Sequence, residues 1–438
     1  MSRIYAQLAG YPFRFRLPAS AEAALLPRLI ALEATEPRFA LLHSYGHRGP
    51  YSRFDWLCGW GAHRQLDAGD KPFTRLRQFH QEKPSWLLGH LSYELRHQLE
   101  KLPARHPHTF GLPQLSFFEP ETLLFRRGAH LYVGSHRYAS AEQLRQALPE
   151  AAPVGAPSSL PAFSFGQGPN EYQQAVEALR QELQYGSIYE VNYCQEATAK
   201  GPLEAPALFR YLGPRHAAPF SALYRWKEVD LLCFSPERYL QKQGRRLISQ
   251  PIKGTAPRGH SPAEDQRLRH ELANSEKERA ENIMIVDLVR NDLSRTAAPG
   301  SVRVEELCGI YPFPAVHQQI STVASRLDAA FHFSDALATS FPMGSMTGAP
   351  KVSAMQLIDQ LETFNRELYS GAVGYINPQG DLDLNVVIRS ILHHRGQQHS
   401  SLRVGSAITI HCQPEAEYQE CLLKAEKLTA QRATLTAG

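Results

Sequence analysis

From Ile188 onward the chain is built of extended apolar runs that come in blocks instead of alternating with helices. Ile188–Thr198, Leu231–Leu240, Leu247–Ile252, Ala315–Leu327, Gly371–Asn377, Asp381–His393 and Leu402–Cys412 read as strands. Asn377-Pro-Gln-Gly380 reads as a tight turn between two of them. A parallel, doubly wound sheet needs a crossover helix between successive strands, and this order does not supply one. The pattern therefore points to an α+β fold with antiparallel sheet. Helices are expected from Asn170, which can cap with Gln173 at the capping-box position, to Gly186. Others are expected over Glu264–Ser294 with a break near Asn274, and over Glu415–Ala430.

The 438 residues show no internal repeat. Pro149–Pro169, rich in Pro, Gly, Ala and Ser, reads as a linker between residues 1–148 and 170–438. Lys and Arg number 47 against 43 Asp and Glu, a balance that argues against a nucleic-acid partner held by phosphate contacts. No apolar run approaches the roughly 18 residues of a membrane span. The first 20 residues lack the apolar core of a secretory signal, and the six cysteines are scattered. Both observations point to a cytoplasmic protein without disulfides.

Two helices carry acids at core-like spacing. Glu278, Glu281, Ile285 and Leu288 form one stripe, and Glu417, Glu420, Lys424 and Lys427 form another. Each is a solvated first turn or surface ion pair when taken alone. Facing one another they would make a hard-oxygen site suited to magnesium. In Pro251-Ile-Lys-Gly-Thr255 a lysine sits in what reads as a rigid turn. It is either an exposed turn lysine or a partly desolvated nucleophile with a lowered pKa. Phe341–Lys351 is a glycine-rich approach to a helix that opens at Pro350, and it lacks the Gly-Lys-Ser/Thr of a triphosphate loop. It is either a plain helix cap or an anion site for a carboxylate.

With these runs stand Ser235-Pro-Glu-Arg238, Ala280–Asp292, Gly348-Ala-Pro-Lys351, Tyr369–Tyr375 and Val387-Ile-Arg-Ser390. In order and spacing the whole set resembles the chorismate-utilising enzyme family. The resemblance implies two packed antiparallel β-sheets forming a sandwich with helices around them, and an N-terminal region interleaved with the catalytic core. Pro149–Pro169 would then be a surface crossover.

Within that family the anthranilate-forming members carry alanine where this chain has Lys253. Lysine marks the members that form 4-amino-4-deoxychorismate, on the p-aminobenzoate branch of folate biosynthesis. The resemblance implies that Lys253 attacks C2 of chorismate while Glu237 protonates the departing C4 hydroxyl, and that ammonia then adds at C4. It implies magnesium on Glu281 and Glu420, with Glu278 and Glu417 behind them. Tyr369 and Arg389 would hold the enolpyruvyl carboxylate, and Thr255, His317, Ser345, Gly405 and Lys424 would line the substrate pocket. Where isochorismate-forming members carry a lysine base, this chain has Glu190, and the amine-forming members usually have glutamine. That departure leaves the role of Glu190 open.

The N-terminal run Leu41–Ser44 with Tyr51–Phe54 resembles the family's tryptophan pocket, with Ser44 and Arg53 as contacts. Ordinary strand and turn residues are the alternative there. No cysteine lies in a Gly-x-Cys-x-Gly turn, so ammonia is expected from a separate glutamine amidotransferase subunit in a heterodimer. No lyase segment follows, so p-aminobenzoate is expected to need a further enzyme. Two alternatives stay open: an anthranilate-forming member, and a non-catalytic chorismate-binding relative.

Overall fold

The computed structural model describes residues 7–151, 160–314 and 316–429. Among them are eleven α-helices and twenty strands, and every strand pair is antiparallel. The ladders link all twenty strands into one continuous network.

The layering follows from strand alternation. In Val229–Ser235, Leu232 and Phe234 join one apolar core, while Leu231 and Cys233 join another. Arg38–His43 divides the same way, with Phe39 and Leu41 on one side and Ala40 on the other. One core draws its buried residues from strands and loops alone, including Leu57, Leu88, Phe118, Tyr224 and Val373. The other two each add helices, through Val176 and Leu179 on one side and Ile285 and Val286 on the other. That is a sandwich with helices outside it, as the resemblance implied. Two long strands, Trp56–Ala68 and Leu115–Arg127, supply side chains to all three cores between them and run from one layer to the other.

N-terminal and C-terminal segments share ladders: Arg38–His43 pairs with Phe220–Trp226, and Leu87–Leu91 with Ala372–Ile376. Of the Pro149–Pro169 stretch, residues 152–159 lie outside the described residues. Its later part gives a short strand, Ser164–Phe165, against Ala197 and Thr198.

Several boundaries differ from the sequence reading. The helix after the linker is Pro169–Tyr185 with Gly168 at its N-cap, so Asn170 lies inside the first turn. Proline at a helix start explains this, because its fixed φ suits the first helical position. Glu264–Ser294 is two helices, Pro262–Asn274 and Glu276–Ser294, parted at Ser275, whose hydroxyl caps the second by accepting from the Glu278 amide. The last helix is Pro414–Thr429; Ala430, like Ala315 before the Val316–Arg326 strand, lies outside the described residues.

Three differences bear on function. Pro251–Thr255 is not a turn: Lys253 lies in a strand, Ile252–Pro257, paired with Val316–Arg326 through an irregular register. The run Leu231–Leu240 is interrupted between Ser235 and Arg238, and Asp381–His393 between Asn385 and Ser390. Glu237 sits in the first gap, and Arg389, with φ +50°, in the second.

Candidate active site

Lys253 and Glu190 meet in the interior. Lys253 is 8% exposed and Glu190 1%, and the lysine Nζ donates to Glu190 Oε1. Burial alone works against the charged amine, but Glu190, and then Glu281 and Glu237, outweigh it. The net shift raises Lys253 above the ordinary lysine value. This corrects the expectation of a lowered pKa, which counted burial and missed a carboxylate 63 residues away.

Glu190 is held in place by backbone. It opens the strand Glu190–Lys200 and pairs with Ala349 of the glycine-rich run. A side chain at Gly348 would meet the Glu190 carbonyl oxygen at 2.1 Å, so only glycine allows this approach. Phe341–Lys351 thus acts as a spacer that fixes Glu190 and Ser345. Lys351 donates to Asp292 at 2.6 Å.

Glu237 is 4% exposed, and its Oε1 accepts from Ser345 Oγ at 2.6 Å. Burial pushes its carboxyl up to about 7, against smaller opposing effects from Ser345, Lys253 and Arg389. A carboxyl in that range is available as a general acid near neutrality. Arg389 is half-buried, and burial lowers its pKa while Glu237 opposes that shift.

The four helix-borne acids divide by burial. Glu281 and Glu417 are buried, Glu278 is half-buried and Glu420 is exposed. Burial chiefly pushes Glu281 up to about 7, with Glu190 and Glu278 adding to it; burial and then Glu420 raise Glu417. Burial also raises Glu278, which feels Glu420. The two helices therefore do bring their acids within electrostatic reach. Glu281 Oε1 is buried with no hydrogen-bond partner among the described residues. Lys277 Nζ stands 4.0 Å from it, beyond hydrogen-bond reach, and a buried carboxylate oxygen beside other acids fits a cation site, because a cation removes the cost of ionising it. No three of these acids bring ligand oxygens within 4.8 Å of one another. The one set of three potential ligands within 4.8 Å among the described residues is His63, Glu119 and His136. There the Glu119 oxygens already accept from Arg64 and Lys83, each at 2.9 Å, which disfavours a metal.

Of the pocket residues expected, Lys424 donates to the Gly405 carbonyl at 2.7 Å and pairs with Glu420 at 2.7 Å. Gly405 lies against Cys194, where a side chain would meet the sulfur at 2.5 Å. Tyr369 and His317 are buried, but their hydrogen bonds run to Cys194 and to Asp265. Thr255 is exposed two residues beyond Lys253. Gly254 has φ +86°, and a side chain there would meet a Glu278 carboxylate oxygen at 3.0 Å, so the lysine strand runs close under the acidic helix.

Sequence reasoning missed Arg366. It is 1% exposed and donates to Glu362, to Met346 O at 2.7 Å and to Asn192 O at 2.7 Å. It ties the loop bearing Ser345 to the strand bearing Glu190. In sequence Glu362 and Arg366 form an i, i+4 pair, which gives no sign of burial.

Ser44 and Arg53 line a separate cavity of about 230 Å³ that also touches Pro236 and Ile252, the chain neighbours of Glu237 and Lys253. Lys253 and Glu237 are not in its wall. Ser44 Oγ donates to the Asp55 carbonyl at 2.8 Å.

Residues 52–430 match the family model for chorismate binding enzymes. Aminodeoxychorismate synthase component 1 of Klebsiella aerogenes is 40% identical over 347 residues, 78% of this chain and 76% of that protein. Anthranilate synthase component 1 of Thermus thermophilus is 33% identical over 95% of this chain and 96% of its own length. The crystal structure of anthranilate synthase component I from Streptococcus pneumoniae superposes with a TM-score of 0.75 at 24% identity, covering 87% of this chain and 93% of that one. With the fold, the motifs and these similarities in agreement, the chain belongs to the chorismate binding enzyme family.

Proposed function

We propose that this chain converts chorismate and ammonia to 4-amino-4-deoxychorismate through a covalent bond to Lys253. The observation that carries this reading is a buried lysine within electrostatic reach of Glu237, a buried carboxyl poised near neutrality. A nucleophile and an acid of that kind suit displacement of hydroxide, a leaving group that needs a proton. Anthranilate synthases, by the resemblance, carry alanine at the lysine position.

Lys253 Nζ attacks C2 of the ring, both ring double bonds shift by one position, and the C4 hydroxyl leaves as water with the proton of Glu237. Ammonia bonds to C4, both double bonds shift back, and Lys253 departs. Arg389, with Tyr369, is proposed to hold the enolpyruvyl carboxylate by a bidentate fork. Ser345 orients Glu237 by its hydrogen bond. Magnesium would be held by Glu281 and Glu420, with Glu278 and Glu417 behind, and would neutralise the ring carboxylate.

A glutamine amidotransferase partner is proposed as the ammonia source. Burial raises all six cysteine thiols, so none has the thiolate character that a glutaminase nucleophile needs. The cavity at Ser44 and Arg53 is proposed to take tryptophan. A cytoplasmic location remains part of this reading; no helix among the described residues is long and apolar enough to cross a membrane.

The test is product analysis with purified protein, chorismate, magnesium and ammonium. The expected product is non-fluorescent and yields p-aminobenzoate when the lyase is added. Fluorescent anthranilate as the main product overturns the reading.

A further inference from the structure

The covalent route leaves one buried group without work. Lys253 attacks only as a free amine, yet the carboxylates around it favour its charged form. At 8% exposure it has little access to water that could take the proton. Glu190 is in hydrogen-bond contact with Nζ through Oε1, and its Oε2 is buried with no partner among the described residues. Its backbone is clamped by the Ala349 pairing and the Gly348 approach, so the carboxylate cannot drift from the lysine. Glu237 is a poor alternative acceptor, because it must carry its own proton to the leaving hydroxyl.

We propose that Glu190 is the base that takes the proton from Lys253 and keeps it for as long as Lys253 is bonded to the substrate. This inference rests on the covalent reading above. The protons balance through the cycle. The Lys253 ammonium gives one proton to the Glu190 carboxylate, and Nζ bonds to C2 with its lone pair. The C4–O bond breaks as Glu237 gives up its proton, and water leaves. Ammonia bonds to C4, and the C2–Nζ bond breaks with its electrons returning to nitrogen. The new C4 ammonium returns a proton to Glu237, and Glu190 returns its proton to the free amine. Both residues then stand as they began.

The experiment mixes the full chain with chorismate and magnesium without ammonium, and follows the Lys253 adduct by rapid-quench intact-mass analysis. Glu190→Gln keeps the shape and a hydrogen-bond acceptor but cannot take the proton. Its adduct should form about 10²-fold more slowly or worse, the usual reach of general base catalysis, while chorismate binding by equilibrium dialysis stays within about threefold. Glu190→Ala is the second variant: added formate, a small carboxylate able to fill the space, should restore the rate there and leave wild type unchanged. Adduct formation by Glu190→Gln at the wild-type rate overturns the proposal. So does a slowing matched by an equal loss of chorismate affinity, or no formate response in a folded Glu190→Ala. Lys253→Ala separates this from failure of the reading beneath it. If that variant still makes product at the wild-type rate, the covalent route itself is wrong whatever Glu190 does.

Discussion

The glutamates of the candidate site fall into two sets that differ in what carries them. Glu190 and Glu237 sit at the start of a strand and in a gap between strands, at 1% and 4% exposure, each with a fixed hydrogen-bond partner. Glu278, Glu281, Glu417 and Glu420 project from two helices, grade from buried to exposed, and leave Glu281 Oε1 with no hydrogen bond among the described residues, its ion-pair partner Lys277 Nζ standing 4.0 Å away. The side chain is the same throughout. Sheet backbone positions a single carboxyl against a single atom, which suits proton transfer. Helix faces present acids in pairs, which suits a hydrated cation that takes one or two carboxylates and keeps its waters.

That comparison can be broken in several places. The largest effect is expected from Lys253→Ala, which removes the proposed nucleophile: turnover should fall by about 10³-fold or more with the fold intact by circular dichroism. Wild-type turnover in that variant dissolves the distinction. Next is Glu237→Gln, expected to cost about 10²–10⁴ in kcat with little change in KM. The sign with pH follows from its raised pKa: the acid form is present below about 7, so wild-type kcat falls as pH rises through that value. A folded pKa above the unfolded one also means that its stability contribution is present at low pH and lost as pH rises through about 7. Glu237→Gln should therefore be more stable than wild type at pH 8, by on the order of 3 kcal/mol, in denaturant titration.

Smaller effects test the helix-borne set. Glu281→Gln and Glu417→Gln should weaken magnesium binding by about 10–100-fold in calorimetry of the substrate-free protein, while Glu190→Gln should not. Equal weakening by all three erases the division of labour. The smallest effect is expected from Ser345→Ala. Its hydroxyl holds the Glu237 carboxyl down, so the falling limb of the kcat profile should move to higher pH by up to about one unit.

Much of this was legible in the sequence because it is periodic. The acid stripes, the antiparallel blocks and the Asn377–Gly380 turn are patterns of spacing, and the structure keeps the turn, with Gly380 donating to the Asn377 carbonyl at 2.9 Å. What escaped were places where a pattern stops. Glu237 and Arg389 lie in strand interruptions that read from sequence as continuous strand, because apolar residues flank both gaps. Lys253 read as a turn residue because Pro251 and Gly254 bracket it; pairing with Val316–Arg326 overrides that local signal. The Lys253–Glu190 pair joins residues 63 apart, and no spacing rule reaches across such a separation. The raised lysine pKa follows chiefly from that long-range contact, with Glu281 and Glu237 adding to it against burial.

The most direct measurement is peptide mapping of protein quenched during turnover with chorismate and magnesium in limiting ammonium. A chorismate-derived mass on the peptide bearing Lys253, lost in Lys253→Ala, is the predicted result. Full product formation with no modified peptide at any time point, unchanged in Lys253→Ala, would contradict the account.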